Sequence, residues 1–459
     1  MKTEGTQRSS KRPPVQGVLF EWPAVSAEER AVSTPEGKGE ARVRRAERHQ
    51  MRMQVFALDG LLPEEHTARL VWEYVEGLDL SALYEEIGSV EGKAGRDAVD
   101  PKILVALWLQ ATVDGVGSAR ELNRLCGEHV AYRWICGGVS VNYHTLSDFR
   151  SGHTAFLDEL LTGSVATLMH EGLVTLKRVA QDGMRVRASA GAASFRRRAT
   201  LEACRAEARE QVEALRAELA SDPSAGNRRR EAARLRAARE RSERIAKALA
   251  QLPDVEGKKK PGEKEKARVS TTEPEARVMK MADGGFRPAH NIQFATDTAS
   301  QVITGVDVTH SGSDQGQMGP MVEQHRERYG RTPEEILVDG GFAKKEDIER
   351  VSAPENGTTV YAPVQKPKKD GRDPHLPRPG ESQTIAEWRR RMGTEEAKAI
   401  YKERASTAEC VNALARNRGL RQFLVRGLEK VRAVALWYAL AHNLLRWFAL
   451  RSEAAVAPA

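Results

Sequence analysis

Val179-Ala-Gln-Asp182-Gly183 and Ile336-Leu-Val-Asp339-Gly340-Gly341-Phe342 are two short apolar runs, each closing on an Asp-Gly pair. The β-branched and apolar texture from Leu173 to Arg187, and again from Glu335 to Val338, predicts a strand at each place. Each strand then ends on a carboxylate. Two such acids, joined by a third from a helix, are the hard oxygen ligands that a pair of Mg²⁺ ions about 3.5 to 4 Å apart requires. Asp-Gly is also a common tight-turn dipeptide, and at Asp59, Asp114, Asp283 and Asp370 only a turn is expected.

Outward from these runs, Asn291 to Ala295 and Val302 to Val308 read as further strands. Between the first strand and these lies an insertion at about 190–270. Leu201, Cys204, Ala208, Val212, Leu215 and Leu219 recur at helical spacing, Ser221-Asp-Pro-Ser-Ala-Gly-Asn227 breaks the pattern, and Leu235, Ala238, Ile245, Leu249 and Leu252 resume it. That is the signature of an antiparallel helical hairpin. Residues 187–268 carry 22 Lys or Arg against 13 Asp or Glu, a net charge of +9, whereas the whole chain carries +8. The basic character therefore resides in the hairpin, as a solvated charged face or as a phosphate-binding one.

Residues 55–155 read as helical. Asp100-Pro101 is an N-cap and first-turn pair ahead of Ile103, Leu104, Leu107 and Trp108, Asp114-Gly115 stops that helix, and Ser118 with Glu121 opens the next. Two helices around a glycine turn fit either a DNA-reading helix-turn-helix or plain core packing. Residues 1–50 mix Pro, Gly, Ser and charge, which predicts a disordered arm. Downstream, Gln365 to Gly380 reads as loop, helices resume near Thr394, Ser406 with Glu409 forms a capping-box pattern, and Leu428 to Leu450 is an apolar closing helix. The expected organisation is a helical region at 51–155 and an α/β core at 170–452 interrupted by the 190–270 insertion.

Composition narrows the class. Only Cys126, Cys136, Cys204 and Cys410 occur among 459 residues, without a C-x-x-C pair, which points to a reducing compartment and away from a disulfide scaffold or structural zinc. The apolar run Ala433 to Ala441 is broken by His442, Asn443 and Arg446, too short to span a bilayer, so a cytosolic protein is expected. The positive charge calls for a polyanionic partner, either nucleic acid or an anionic membrane surface.

Several segments carry a family resemblance. Tyr132-Arg-Trp-Ile-Cys-Gly-Gly138 with Asn142-Tyr-His-Thr-Leu-Ser-Asp-Phe-Arg150, then Thr271-Thr-Glu-Pro-Glu-Ala-Arg277 and Pro288-Ala-His-Asn-Ile-Gln-Phe-Ala-Thr-Asp297, stand in order around the two Asp-Gly runs. The chain resembles bacterial insertion-sequence transposases of the DDE superfamily over roughly residues 50 to 450. The resemblance implies an RNase H-like mixed sheet flanked by helices, preceded by an all-helical DNA-binding domain. It places the first two catalytic, metal-binding acids on Asp182 and Asp339, and the third within a Tyr-Arg-Glu-Lys signature best matched by Tyr401, Arg404, Glu409 and Arg416.

The signature departs from the family pattern twice: the Arg-to-Glu gap is one residue longer, and Arg416 stands in place of lysine. Glu403 therefore stays open as an alternative third acid. Tyr401, Arg404 and Arg416 would contact DNA, and Trp388 resembles aromatics that stack on a displaced base, although ordinary packing is its simpler reading. The implied cofactor is a pair of Mg²⁺ ions, with Mn²⁺ able to substitute. The implied partners are double-stranded DNA at element ends and target, and a second copy of the chain, with no membrane, in a bacterial cytoplasm at the nucleoid. A nuclease that cuts without joining, and an inactive DNA-binding relic, are the alternatives.

Overall fold

The computed structural model describes residues 57–89, 96–221, 228–365 and 373–456; the expected arm at 1–50 lies outside them. Seven helices come first: α1 (Thr67–Glu76), α2 (Ser81–Glu85), α3 (Pro101–Val113), α4 (Ala119–Glu128), α5 (Val130–Cys136), α6 (Tyr143–Gly152) and α7 (Thr154–His170). Helix α3 starts where the Asp100 carboxylate accepts from Lys102 N at 2.8 Å, with Pro101 in the first turn. It stops before Gly115, whose φ of 76° glycine adopts without strain. Ser118 then accepts from Glu121 N to open α4. Every residue of α3 from Ile103 to Thr112 is buried, so this helix is the core of the region, and α4 exposes Arg120 and Arg124, the latter paired with Glu121 and Glu128.

The chain then enters a sheet at β1 (Arg178–Arg187) and leaves it for the insertion. Two-residue strands β2 (Phe195–Arg196) and β3 (Val269–Ser270) pair antiparallel at its base, and helices α8 (Arg198–Ser221) and α9 (Arg228–Gly257) form the hairpin. Leu201 packs with Ala248 and Leu252 near the base, while Val212 and Leu215 pack with Ala238 farther out, so α8 and α9 run antiparallel.

Back in the sheet come β4 (Arg277–Lys280), β5 (Phe286–Asp297), β6 (Ile303–Thr309), α10 (Met318–Tyr329), β7 (Glu335–Leu337), α11 (Lys345–Val351) and β8 (Thr359–Tyr361). β5 pairs antiparallel with β1 on one side and with β6 and the short β4 on the other, while β1–β7 and β7–β8 are parallel. The order β6-β5-β1-β7-β8, three antiparallel strands followed by two parallel ones, is that of an RNase H-like sheet with β1 at its centre. One expectation is corrected here. Asp182 lies in the middle of β1, not at its end, because β5 continues to pair as far as Arg187 after β7 has stopped at Ala180.

After β8 come α12 (Gln383–Met392), α13 (Glu395–Arg404), a single π-helical turn (Ala405–Glu409), α14 (Cys410–Asn417) and α15 (Leu428–Val456). Thr394 caps α13 through Ala397 N, as its sequence predicts. The capping-box expectation at Ser406–Glu409 is overturned: α13 runs on through the π turn into α14, and the Ser406 hydroxyl donates backward to Glu403 O at 3.0 Å instead of capping a new helix.

Helix α15 ties the parts together. Its Asn443 side chain makes both backbone hydrogen bonds of Ile303 in β6, each at 2.8 Å, and its Trp437 Nε1 donates to Arg150 O of α6 at 3.0 Å. One apolar cluster consequently extends from Leu62 through Val179 and Phe294 to Leu444. Among the described residues no helix is long and apolar enough to cross a membrane.

Candidate active site

The last paired residues of the parallel strands β1 and β7 are Ala180 and Leu337. Asp182 and Asp339 each stand two residues farther on. Adjacent strands lie about 4.8 Å apart, so equal offsets from one register pair bring the two acids to the same level at the open edge. Gly183 lacks the positive φ of the turn glycines Gly115 and Gly284 (76° and 82°), which separates the Asp182-Gly183 pair from those at Asp114 and Asp283, whereas Asp339 opens a turn in which Phe342 N donates to its carbonyl oxygen at 3.2 Å.

Asp182 is mostly enclosed, with 17% of its side chain exposed. Its Oδ2 accepts from Asn412 Nδ2 at 3.0 Å and its Oδ1 from Gly183 N at 3.0 Å. Burial raises its pKa above the ordinary aspartate value; the nearby charges of Asp339 and Asp314 add to the rise, and Arg404 opposes it. Asp339 is half-buried and accepts from Gly341 N at 2.8 Å.

The third acid comes from the π turn. Such a turn holds one residue more than an α-helical turn. Glu409, five residues past Arg404, is thereby brought back onto the face of Arg404, and Arg404 Nη1 donates to Glu409 Oε1 at 2.8 Å. The additional residue in the Arg-to-Glu gap is absorbed as a bulge. Glu403 faces elsewhere: it pairs with Arg178 at 2.5 Å, and Arg178 also holds Glu335 at 2.5 Å.

Arg404 is the hub. Besides Glu409, its Nη2 lies 3.4 Å from Asp182 Oδ1, and its Nε is buried without a partner among the described residues. Burial disfavours its charge, yet Asp182, Tyr401, Glu409 and Asp339 together hold its pKa above the usual arginine value. Tyr401 is half-buried; burial pushes its hydroxyl up, with Asp339, Asp182 and Glu409 adding and Arg404 opposing. Arg416 is exposed near the end of α14.

Trp388 calls for a correction. Its ring is 4% exposed in the cluster of Ile336, Val360 and Ile385, and its Nε1 donates to Ala362 O at 3.1 Å, so it is committed to the core and presents no face to a base. Two residues escaped sequence reasoning. Asn412, three past Glu409 in the same helical run, could have been noticed from that spacing. Asp314 could not: it lies in the loop after β6 and accepts from Asn291 Nδ2 at 2.7 Å and Gln293 Nε2 at 2.8 Å against Gly183.

Three carboxylates from β1, the end of β7 and the π turn suit a hard divalent ion in kind. Among the described residues, however, no three His, Cys, Asp or Glu side chains close around a common point, because Asp182 and Glu409 are turned onto Arg404. The negative field is present and a guanidinium neutralises it.

Two family models match the chain. Residues 56–152 match a transposase domain (DUF772), and residues 366–448 match a transposase DDE domain. Both matches support an insertion-sequence DDE transposase. The first spans α1 to α6 of the chain, and the second contains Tyr401, Arg404, Glu409 and Arg416. The DDE family generally works with a divalent metal. No curated protein and no solved structure matches the chain.

Proposed function

We propose that this transposase cleaves DNA at the ends of a mobile element and joins the freed 3′ ends to target DNA, with Asp182, Asp339 and Glu409 as the ligands of two Mg²⁺ ions. The observation that supports it best is the shared level of Asp182 and Asp339 beside β1 and β7, with Arg404 linking Asp182 to Glu409. Ions bound there would supply nucleophile activation and charge stabilisation. Asn412 holds the Asp182 carboxylate in place. Tyr401 and Arg404 border the acids, where cationic and phenolic donors suit a phosphodiester, and the exposed Arg416 on the following helix would add a further phosphate contact. Water attacks the strand at the element end; the released 3′-hydroxyl then attacks the target, again by in-line displacement, with no covalent link to the protein.

Recognition belongs elsewhere on the molecule, since acids carry no base readout. We assign end recognition to the helical region within 51–155 and sequence-independent affinity to the basic hairpin within 190–270. An active complex holding two ends calls for two copies of the chain. The test is incubation of the protein with Mg²⁺, a duplex bearing the DNA that borders the gene, and plasmid target. Nicked ends joined to the plasmid are expected. Cleavage without joined product would leave a nuclease, and binding without cleavage would leave a DNA-binding relic.

A further inference from the structure

Arg404 occupies a position that a cation shared by Asp182 and Glu409 would need. Its Nη1 takes one Glu409 oxygen at 2.8 Å, its Nη2 stands 3.4 Å from Asp182 Oδ1, and the arginine is 8% exposed. Carboxylate lone pairs directed at a guanidinium fork are closed to an ion approaching from the same side. Moving that guanidinium away requires another anion, because a buried cation left unpaired is strongly disfavoured. A phosphodiester is the anion this protein meets, and its geometry suits the arginine fork. The Nε of Arg404 is buried without a partner among the described residues, a donor that a phosphate oxygen would satisfy once the guanidinium turns outward. Of the two acids, Asp182 is fixed by Asn412, whereas the Glu409 side chain is 57% exposed and free to turn once released.

We propose that Arg404 is the resident counter-ion of the metal-free site and passes to a DNA phosphate on docking, so that DNA binding opens Asp182 and Glu409 to a divalent ion. This rests on the assignment of those acids as metal ligands. Linkage makes the effect reciprocal: whatever factor DNA adds to ion affinity, the ion adds to DNA affinity. The transposase would then hold its metal tightly only with a substrate in place, which limits stray hydrolysis.

The test measures Mn²⁺ affinity of the full chain by electron paramagnetic resonance of the free ion, with and without a duplex covering the DNA that borders the gene. For the unaltered protein the duplex should raise Mn²⁺ affinity at least about tenfold, a coupling within the ordinary allosteric range. Arg404→Gln should bind Mn²⁺ more tightly than the unaltered protein in the absence of DNA and respond little to the duplex; Arg404→Lys should recover part of the response. Equal Mn²⁺ affinity of the unaltered protein with and without duplex overturns the proposal, and that measurement needs no variant to fold. So does an Arg404→Gln protein that keeps the full response. Asp182→Asn separates the two levels: if it binds Mn²⁺ as the unaltered protein does, the ligand assignment fails and the coupling falls with it.

Discussion

Asp182 and Asp339 each lie two residues beyond Ala180↔Leu337, the last register pair between β1 and β7. The sheet fixes Asp182 within β1, and Asp339 opens the turn that follows β7. Asp182→Asn, Asp339→Asn and Glu409→Gln keep shape and remove charge. Each should reduce cleavage to background while folding and duplex binding survive. Ca²⁺, larger and less strict in geometry, should support binding without efficient cutting. Gel-based cleavage and binding assays on one set of proteins check all of this.

Glu403→Gln should behave differently. It gives up only the partly exposed pair with Arg178, which still keeps Glu335, so stability should fall by no more than about 1 kcal/mol and cleavage should persist. An inactive Glu403→Gln beside an active Glu409→Gln would transfer the third acid to Glu403.

The π turn makes a prediction about length. Deleting the exposed Ser406 should restore an ordinary α-helical turn, keep Glu409 facing Arg404 and retain cleavage. Inserting one alanine after Ser406 should rotate Glu409 away and abolish it. Loss of activity in both length variants, with folding intact by circular dichroism, would show that the bulge itself is required.

Gly183 is bounded tightly: a Cβ added there would lie 2.2 Å from Asp314 Oδ1 and 2.7 Å from Gln293 Nε2. Gly183→Ala should therefore cost about 1–3 kcal/mol by overpacking and disturb the strand beside Asp182. Shortening the neighbour in Gly183→Ala/Asp314→Ala should recover part of that stability in chemical denaturation. A double variant no more stable than the single one would place the strain elsewhere.

Acid stability follows from His325 and His442, both buried and both lowered to about 4 by desolvation. The neutral ring of each is matched to its surroundings: His325 bonds Met321 O and the Thr304 hydroxyl, and His442 bonds Gln301 O. Their folded pKa lies below the unfolded value near 6.5, so stability from this source is complete above about pH 6.5 and declines as pH falls toward 4. By about pH 4.5 each should have removed on the order of 2 kcal/mol. Thermal unfolding from neutral pH downward should show the decline, and replacing either histidine with glutamine should flatten it.

The basic hairpin gives a salt-dependence prediction. Deleting α8 and α9 with a short joining turn should weaken duplex binding and lower the slope of log affinity against log salt by roughly 0.9 for each phosphate no longer neutralised. An unchanged slope would mean that those charges serve solvation alone.

Much of the frame was legible in the sequence because its signals are local. Asp100, Gly115 and Ser118 mark helix ends through their own backbone chemistry, strands β5 and β6 have apolar texture long enough to register, and β7, though three residues long, continues into Val338 ahead of Asp339-Gly340. β8, equally short, has no such punctuation, and α12 follows a Pro-rich stretch, so neither announces itself. The site was half legible. Asp182 and Asp339 lie beside strand patterns, but the π turn at Ala405–Glu409 resembles a capping box until helix α13 is seen to continue through it. Arg404 as the partner of two acids, Asp314 behind Gly183 and the burial of Trp388 are tertiary facts with no local trace.

Helix α15 is the last of the described elements to leave the ribosome, yet it completes the core of the first. Until Leu428–Val456 emerges, α3, α6 and α7 lack the packing that Trp437 and its neighbours supply, and β6 lacks Asn443. The nascent chain must carry an unfinished apolar surface through the synthesis of everything before that helix, the condition under which chains recruit chaperones or aggregate. A gene copy interrupted before codon 428 would therefore yield a substrate for proteolysis in place of a shortened DNA-binding protein.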